Sequence, residues 1–432
     1  MQFYLPNFED LVDPGYDFIH DEPSPDRGNR FLHDWYAHQF FDEPIFDGVL
    51  MSKTVVKPRI EALIREAGDV HAFLNLEPTV PVMGDCGAYT YRDDFEPPYT
   101  TTEILDYYET LGFTYGVSID HVIFSSFPPD EQQRRWNLTL ANAEDFLRQH
   151  RQGDYTFTPI GIAQGQTPEM YAEAVHRLVA MGYTHLALGG MARSSDRTVR
   201  EVLQAVSPEL PEGIDLHLFG VARLALIPDL LRYGVTMVDS ASPVRRAFLG
   251  SSEDNYWTAN GRYYAAIRIP DATSKRTKRG ISRPEDVVNG NLSVDDEEAL
   301  VELEQRALNH LRAYDRGEAG LQETLEAVLA YDRLFGEDRD HEIWYRRVLA
   351  DRPWQDCGCA ICEDVGIEVI IFWGNNRNRR LQRRYQMDRS SYLSRANGAK
   401  KLPFLPVPTR RTFEPVHRLF EGHPLQLPTL LV

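Results

Sequence analysis

Between Ile45 and Ser240 the sequence repeats one unit, a short β-rich apolar run followed by a break and a stretch with helical punctuation. The runs are Ile45–Met51, Val80–Asp85, Thr114–Asp120, Phe157–Gln164, Thr184–Gly189, Leu216–Val221 and Thr236–Asp239. Unbroken apolar character, as in His185-Leu-Ala-Leu188, suits strands covered on both faces, the habit of parallel sheets. Pro168 and Gly182 bracket a helix over Glu169–Met181, because proline fits a first turn and glycine the residue past a last one. A second helix, Arg223–Arg232, stops before Gly234, and Pro228 within it predicts either a kink or a late start. Seven such units in succession predict an α/β fold of the (β/α)8 TIM-barrel class rather than an open sheet.

After Ser240 the pattern changes. Residues 251–290 are polar and turn-rich, Ser293 with Asp296 and Glu297 marks a helix start, and charged helices are expected over Asp295–Arg316 and Leu321–Leu334. A Pro-rich tail runs from Pro403 to Pro428. No run approaches the 18 apolar residues of a membrane span, and the acidic N-terminus lacks the order of a secretory signal. Three of the four cysteines are bunched as Cys357, Cys359 and Cys362, unlike a secreted disulfide framework, so a cytoplasmic location is expected.

The net charge of −19 argues against a general polyanion binder, yet it hides local reversals. Arg377 to Arg411 holds eleven basic residues and one acid, Asp388, and Lys275, Arg276, Lys278, Arg279 and Arg283 form a second basic group in an expected loop. These runs are either solvated faces or phosphate contacts.

In a barrel, chemistry gathers where strands end, since the following loops converge on one mouth. The polar or glycine residues there are Asp85, Asp120, Gln164, Gly189-Gly190 and Asp239. One such aspartate could simply cap a helix, but five positions on five strands point to a site.

The strings around them carry a family resemblance. Met83-Gly-Asp-Cys-Gly-Ala-Tyr89 resembles the Asp-Ser-Gly-Gly-Phe loop of the tRNA-guanine transglycosylase (queuine/archaeosine tRNA-ribosyltransferase) family, and Ser118-Ile-Asp120 its base-recognition aspartate. Gly161-Ile-Ala-Gln-Gly165 is similar to its Gly-Ile-Val-Gln-Gly segment, and Ala187-Leu-Gly-Gly-Met191 to its Gly-Gly-Leu turn. Val235-Thr-Met-Val-Asp239-Ser-Ala-Ser-Pro243 resembles the nucleophile strand, and Cys357-Gly-Cys-Ala-Ile-Cys362 the Cys-x-Cys-x-x-Cys zinc motif. Cys86-Gly87-Ala88-Tyr89, and Gly366–Phe372 leading into Gly374–Arg380, look more like the DNA-modifying 7-deazaguanine branch than the tRNA enzymes.

The resemblance implies a barrel with helical extension over residues 1–345 and a zinc-binding, basic C-terminal region over 346–432. It implies a pentosyltransferase that exchanges guanine in DNA for a 7-deazaguanine base, such as the 7-cyano form, through a covalent glycosyl-aspartate. Asp239 is then the nucleophile and Asp85 the acid and base, while Asp120, Gln164, Gly189 and Gly190 receive the purine. A carboxylate beside C1′ stabilises oxocarbenium character and can bond to it, as in retaining glycosidases. Cys357, Cys359 and Cys362 are expected to hold a structural zinc. The family's fourth ligand is a histidine, and no histidine lies between Cys362 and His417, which leaves Asp388 near the required spacing. Arg377, Arg379 and Arg380 are expected on the nucleic-acid backbone.

The expected partners are DNA, a free 7-deazaguanine base, and either a second copy of the chain or a partner protein of a DNA-modification system. The same chemistry on tRNA is the competing reading. A catalytically silent nucleic-acid-binding subunit is the alternative of another class, and retention of Asp85 and Asp239 speaks against it. A metal-dependent hydrolase lacks a His-x-His pair at any strand end. Tyr89, Tyr91, Tyr256 and Trp257 are available for stacking or belong to the core, and His121 reads as structural.

Overall fold

Eight parallel strands close on themselves: β1 (Gln2–Pro6), β2 (Gly48–Ser52), β3 (Val82–Asp85), β4 (Tyr115–Val117), β5 (Thr158–Ala163), β6 (His185–Leu188), β7 (Asp215–Leu218) and β8 (Met237–Asp239). In this computed structural model the described residues are 1–7, 11–36 and 39 with short breaks, 46–241, 256–258, 261–281, 297–335 and 341–372. The seven expected strands are β2 to β8, each within a residue or a few of its expected span.

The eighth strand is the first in the chain. β1 closes the barrel between β8 and β2, with Tyr4 opposite both Asp239 and Gly48. Sequence pattern hid it because no helix follows at βα spacing among the described residues, where the next helical piece is the four-residue Arg30–His33.

Helices α1 (Pro58–Ala67), α2 (Thr101–Leu111), α3 (Pro129–Gln152), α4 (Pro168–Met181), α5 (Asp196–Val206) and α6 (Ile227–Arg232) follow β2 to β7 in turn. Their ends obey local rules. In α2 the Thr100 hydroxyl and Glu103 carboxylate satisfy each other's backbone amides as a capping box. In α4 Thr167 caps the helix, Pro168 occupies its first turn and Gly182 ends it at φ 95°. Pro228 gives a late start, since a short 3-10 turn, Leu224–Leu226, precedes α6.

Packing follows the strand alternation. Tyr4, Leu50, Met83, Val117, Ile160, Ile162, Ala187 and Met237 fill the barrel interior, while outward residues such as Leu186, Leu188, Leu216 and Leu218 pack under the helices. Gly84 and Gly116 make room for the Tyr108 ring of α2, which any Cβ at either position would overlap.

A second core is built from described residues between Tyr256 and Ile371. α7 (Glu297–Asp315), α8 (Leu321–Asp332) and α9 (Glu342–Asp351) enclose Tyr256, Ile267, Trp354, the three clustered cysteines and Val369–Ile371. Leu5 of β1 packs against this cluster too, which seats it on the barrel. The basic group expected in a loop is instead partly helical, over Lys275–Gly280; four cations in six residues carry no apolar stripe that would have announced a helix. Arg283, Ser293, Arg377, Arg379, Arg380, Asp388 and the Pro403–Pro428 tail lie outside the described residues. Among the described residues no helix is long and apolar enough to cross a membrane.

Candidate active site

The barrel's C-terminal rim collects the expected residues. Asp85 ends β3 and Asp239 ends β8. Asp120 follows β4 by three residues, Gln164 follows β5 directly, and Gly189-Gly190 follow β6. Five strands therefore deliver five groups to one mouth.

Asp120 and Gln164 are buried and already paired. The Gln164 Nε2 donates to Asp120 Oδ2 at 2.6 Å, and the Cys86 thiol donates to Asp120 Oδ1 at 3.1 Å. Gln164 Oε1 is buried without a hydrogen-bond partner among the described residues. Burial raises the Asp120 pKa, and the Cys86 and Gln164 hydrogen bonds oppose that rise. The glycine pair is there for space. A Cβ at Gly189 would overlap the Gln164 amide, and Gly190 sits at φ 75°, which side chains rarely adopt.

Asp85 keeps a partial opening to the surface, but protein surrounds it deeply enough for desolvation to dominate. Its pKa is raised to about 6, first by burial and then by the charges of Asp120 and Asp239; hydrogen bonds from Ser52 and the Gly87 amide, the latter at 2.6 Å, pull the other way. A carboxyl poised there can give and take a proton near neutral pH. Its raised pKa also makes a stability claim. The group favours folding fully below the unfolded pKa of about 4 and loses that contribution as pH rises through about 6. Asp85→Asn is therefore expected to be more thermostable than the wild type at pH 8, by at most about 3 kcal/mol less the screening its partial opening allows, and equal to it near pH 4. Thermal melts at both pH values check this; an offset independent of pH would rule out a titrating Asp85 as its cause.

Asp239, 5 % exposed, is held through one oxygen. Its Oδ1 accepts from His217 Nε2 at 2.9 Å and from the Gly220 amide at 2.9 Å, and no described residue donates to Oδ2. Sequence reasoning missed His217. The available signal was a lone polar residue between Leu216 and Leu218, whose outward packing turns His217 into the barrel.

The aromatic candidates separate. Tyr91 is buried, its hydroxyl 3.0 Å from both the Cys86 sulfur and the Asp120 carbonyl oxygen. Tyr256 is buried in the second core, 3.3 Å from the Cys362 sulfur. Tyr89 is 44 % exposed, with the guanidinium groups of Arg92 and Arg193 at 4.8 and 5.3 Å from its ring centroid. The side chain of Trp257 falls outside the described residues. His121 is structural: Arg135 Nη1 donates to its Nδ1 at 2.7 Å, so its Nε2 carries the proton given to the Asp94 carbonyl at 2.9 Å. Burial first, and Arg135 second, lower its pKa.

Away from the mouth, the sulfur atoms of Cys357, Cys359 and Cys362 lie within 4.8 Å of one another, all buried. As thiols they hydrogen-bond to one another, and the bond with Cys357 is the largest cause that pushes Cys359 up to about 11. Three buried sulfur donors this close form a soft, closed set that could hold a metal such as zinc as thiolates. No fourth ligand joins them among the described residues.

Comparison with known proteins agrees with this geometry. The family model described as queuine tRNA-ribosyltransferase matches residues 49–281. A DNA-guanine transglycosylase of Salmonella montevideo is 36 % identical over 406 residues, 88 % of this chain and 93 % of that protein. Queuine tRNA-ribosyltransferases of Moorella thermoacetica and Thioalkalivibrio sulfidiphilus are 25 % and 26 % identical; they match 45 % and 48 % of this chain, which covers 57 % and 62 % of their lengths. A mouth built from strand-end carboxylates on a closed barrel, matched by this family over more than half the chain, has one conclusion: the chain belongs to the queuine tRNA-ribosyltransferase family and is a transglycosylase.

Proposed function

We propose that this transglycosylase exchanges guanine in DNA for a 7-deazaguanine base, such as the 7-cyano form, through a covalent glycosyl-aspartate. The observation that carries the reading is the pair of unlike carboxyl groups at the mouth, Asp85 raised to about 6 and Asp239 pinned by one oxygen. Asp239 Oδ2 bonds to C1′ as the C1′–N9 bond breaks, and the Asp85 carboxylic acid protonates the departing guanine. Asp85, now a carboxylate, takes the N9 proton of the incoming base, whose nitrogen displaces Asp239 from C1′.

Asp120 accepts from the N1–H and exocyclic amine of the base, and Gln164 addresses the O6 side through its amide hydrogens. The base takes over from the Cys86 and Gln164 donors that now satisfy Asp120. Asp120→Asn is expected to weaken free-base binding by about 10- to 100-fold, and Gln164→Ala by less, since only the first loses charge-assisted bonds. Calorimetry with the free base decides; unchanged affinity in both variants would remove these residues from base recognition.

DNA is favoured over tRNA because the DNA-guanine transglycosylase relative aligns with 88 % of the chain, while the tRNA-acting relatives align with under half. We assign Arg377, Arg379 and Arg380 to the phosphate backbone, zinc to the three cysteines, residues 1–345 to the catalytic part and 346–432 to the metal-binding, basic part. The test incubates the protein with labelled guanine and either plasmid DNA or tRNA, followed by nucleoside mass spectrometry with a 7-deazaguanine supply. Label in DNA supports the proposal; label in tRNA alone transfers it to the competing substrate, and label in neither supports the silent-subunit reading.

A further inference from the structure

We infer that His217 is the positioning residue for the Asp239 carboxylate, fixing Oδ1 through Nε2–H so that Oδ2 is the atom presented to the sugar. This rests on the reading of Asp239 as nucleophile. A carboxylate only accepts, so the 2.9 Å contact places the proton on Nε2. The ring cannot easily turn away. It lies edge-on to Tyr4, with centroids 5.9 Å apart and planes at 76°, and 4.4 Å from the Phe219 ring.

The other ring nitrogen argues that the hydrogen bond is the reason for the residue. His217 is fully buried, and its Nδ1 has no hydrogen-bond partner among the described residues. An unpaired buried nitrogen is a cost that a leucine or phenylalanine lining the same interior would not carry. The barrel therefore gains from His217 something an apolar filler lacks, a rigid donor aimed at Asp239. The Gly220 amide approaches the same oxygen from the loop after β7, so two donors from one strand and its loop hold a carboxylate on the next.

In the reaction Oδ2 supplies the electron pair that bonds C1′, the C1′–N9 pair leaves with the base, and the Asp85 proton goes to that base. Oδ1 becomes the ester carbonyl oxygen and still accepts from Nε2–H, so His217 holds the same bond before and after and transfers no proton.

The experiment compares His217→Gln, whose terminal amide nitrogen can reach the place of Nε2, with His217→Leu and His217→Phe. The full chain is assayed for exchange of labelled guanine into plasmid DNA, with thermal melts confirming the fold. The apolar variants are expected to lose about 100-fold in kcat while the KM for free guanine stays within about twofold, and His217→Gln to recover most of the loss. A folded apolar variant with wild-type kcat overturns the inference, as does a glutamine variant no better than the apolar ones. Asp239→Asn run alongside separates the two claims. If it is active, the nucleophile reading itself fails; if it is inactive while His217→Leu is unimpaired, only the role of His217 fails.

Discussion

Asp239→Asn should exchange labelled guanine on the order of 10⁴-fold more slowly than the wild type, and should accumulate no covalent adduct when single turnovers are quenched. The amide is nearly isosteric, and its oxygen can still accept from His217 and Gly220, so the melting temperature should move by no more than a few degrees. What is lost is the electron pair that would bond C1′, because an amide nitrogen does not form a glycosyl ester. Asp239→Glu gives a graded comparison. It keeps the carboxylate but displaces it by a methylene from a position fixed by two donors, and a misplacement of that size costs about 100-fold. Near wild-type exchange by the asparagine variant would exclude Asp239 as nucleophile and turn attention to another rim carboxylate.

Cys359→Ser should reduce bound zinc from about one equivalent to a small fraction and lower the melting temperature by roughly 10 °C, because structural zinc contributes several kcal/mol or more to the fold it closes. The position is demanding in two ways. The Cys359 sulfur lies within 4.8 Å of its two partners and also accepts from the Cys362 amide at the start of the following helical turn. The same segment packs with α7, α8 and α9, so loosening it should expose amides of those three helices in hydrogen exchange while barrel strands β3 to β6 stay protected. Elemental analysis of protein purified without chelator, beside melts with and without phenanthroline, is the check. A wild-type chain lacking zinc that melts identically with and without chelator would leave the cysteines as plain core residues.

The barrel and most of its mouth were legible because the relevant signals are local. Asp85, Asp120, Gln164 and Asp239 each end an apolar run, and a polar side chain there has few reasons to exist other than capping or chemistry. Pro168 and Gly182 announced α4 for equally local reasons. Gln2–Pro6 was hidden because its identity as a strand depends on partners more than forty and more than two hundred residues away. His217 was hidden because its meaning lies on another strand, in the oxygen of Asp239. Cys86 read as a departure from a family motif, yet its thiol proves to be one of the donors that satisfy Asp120. Such pairings become visible only once the strands are curled round to meet.

The seam of the barrel lies beside the Asp239 carboxylate. Tyr4 of β1 stands opposite Asp239 of β8, so the earliest strand made must wait for the latest before the ring can shut. Closure is a long-range event, and its loop entropy delays it relative to the local βα units. Until it happens, Asp239 has no neighbour on one side and the mouth lacks its final wall. The mouth is therefore complete only when the first and last staves of the ring come together.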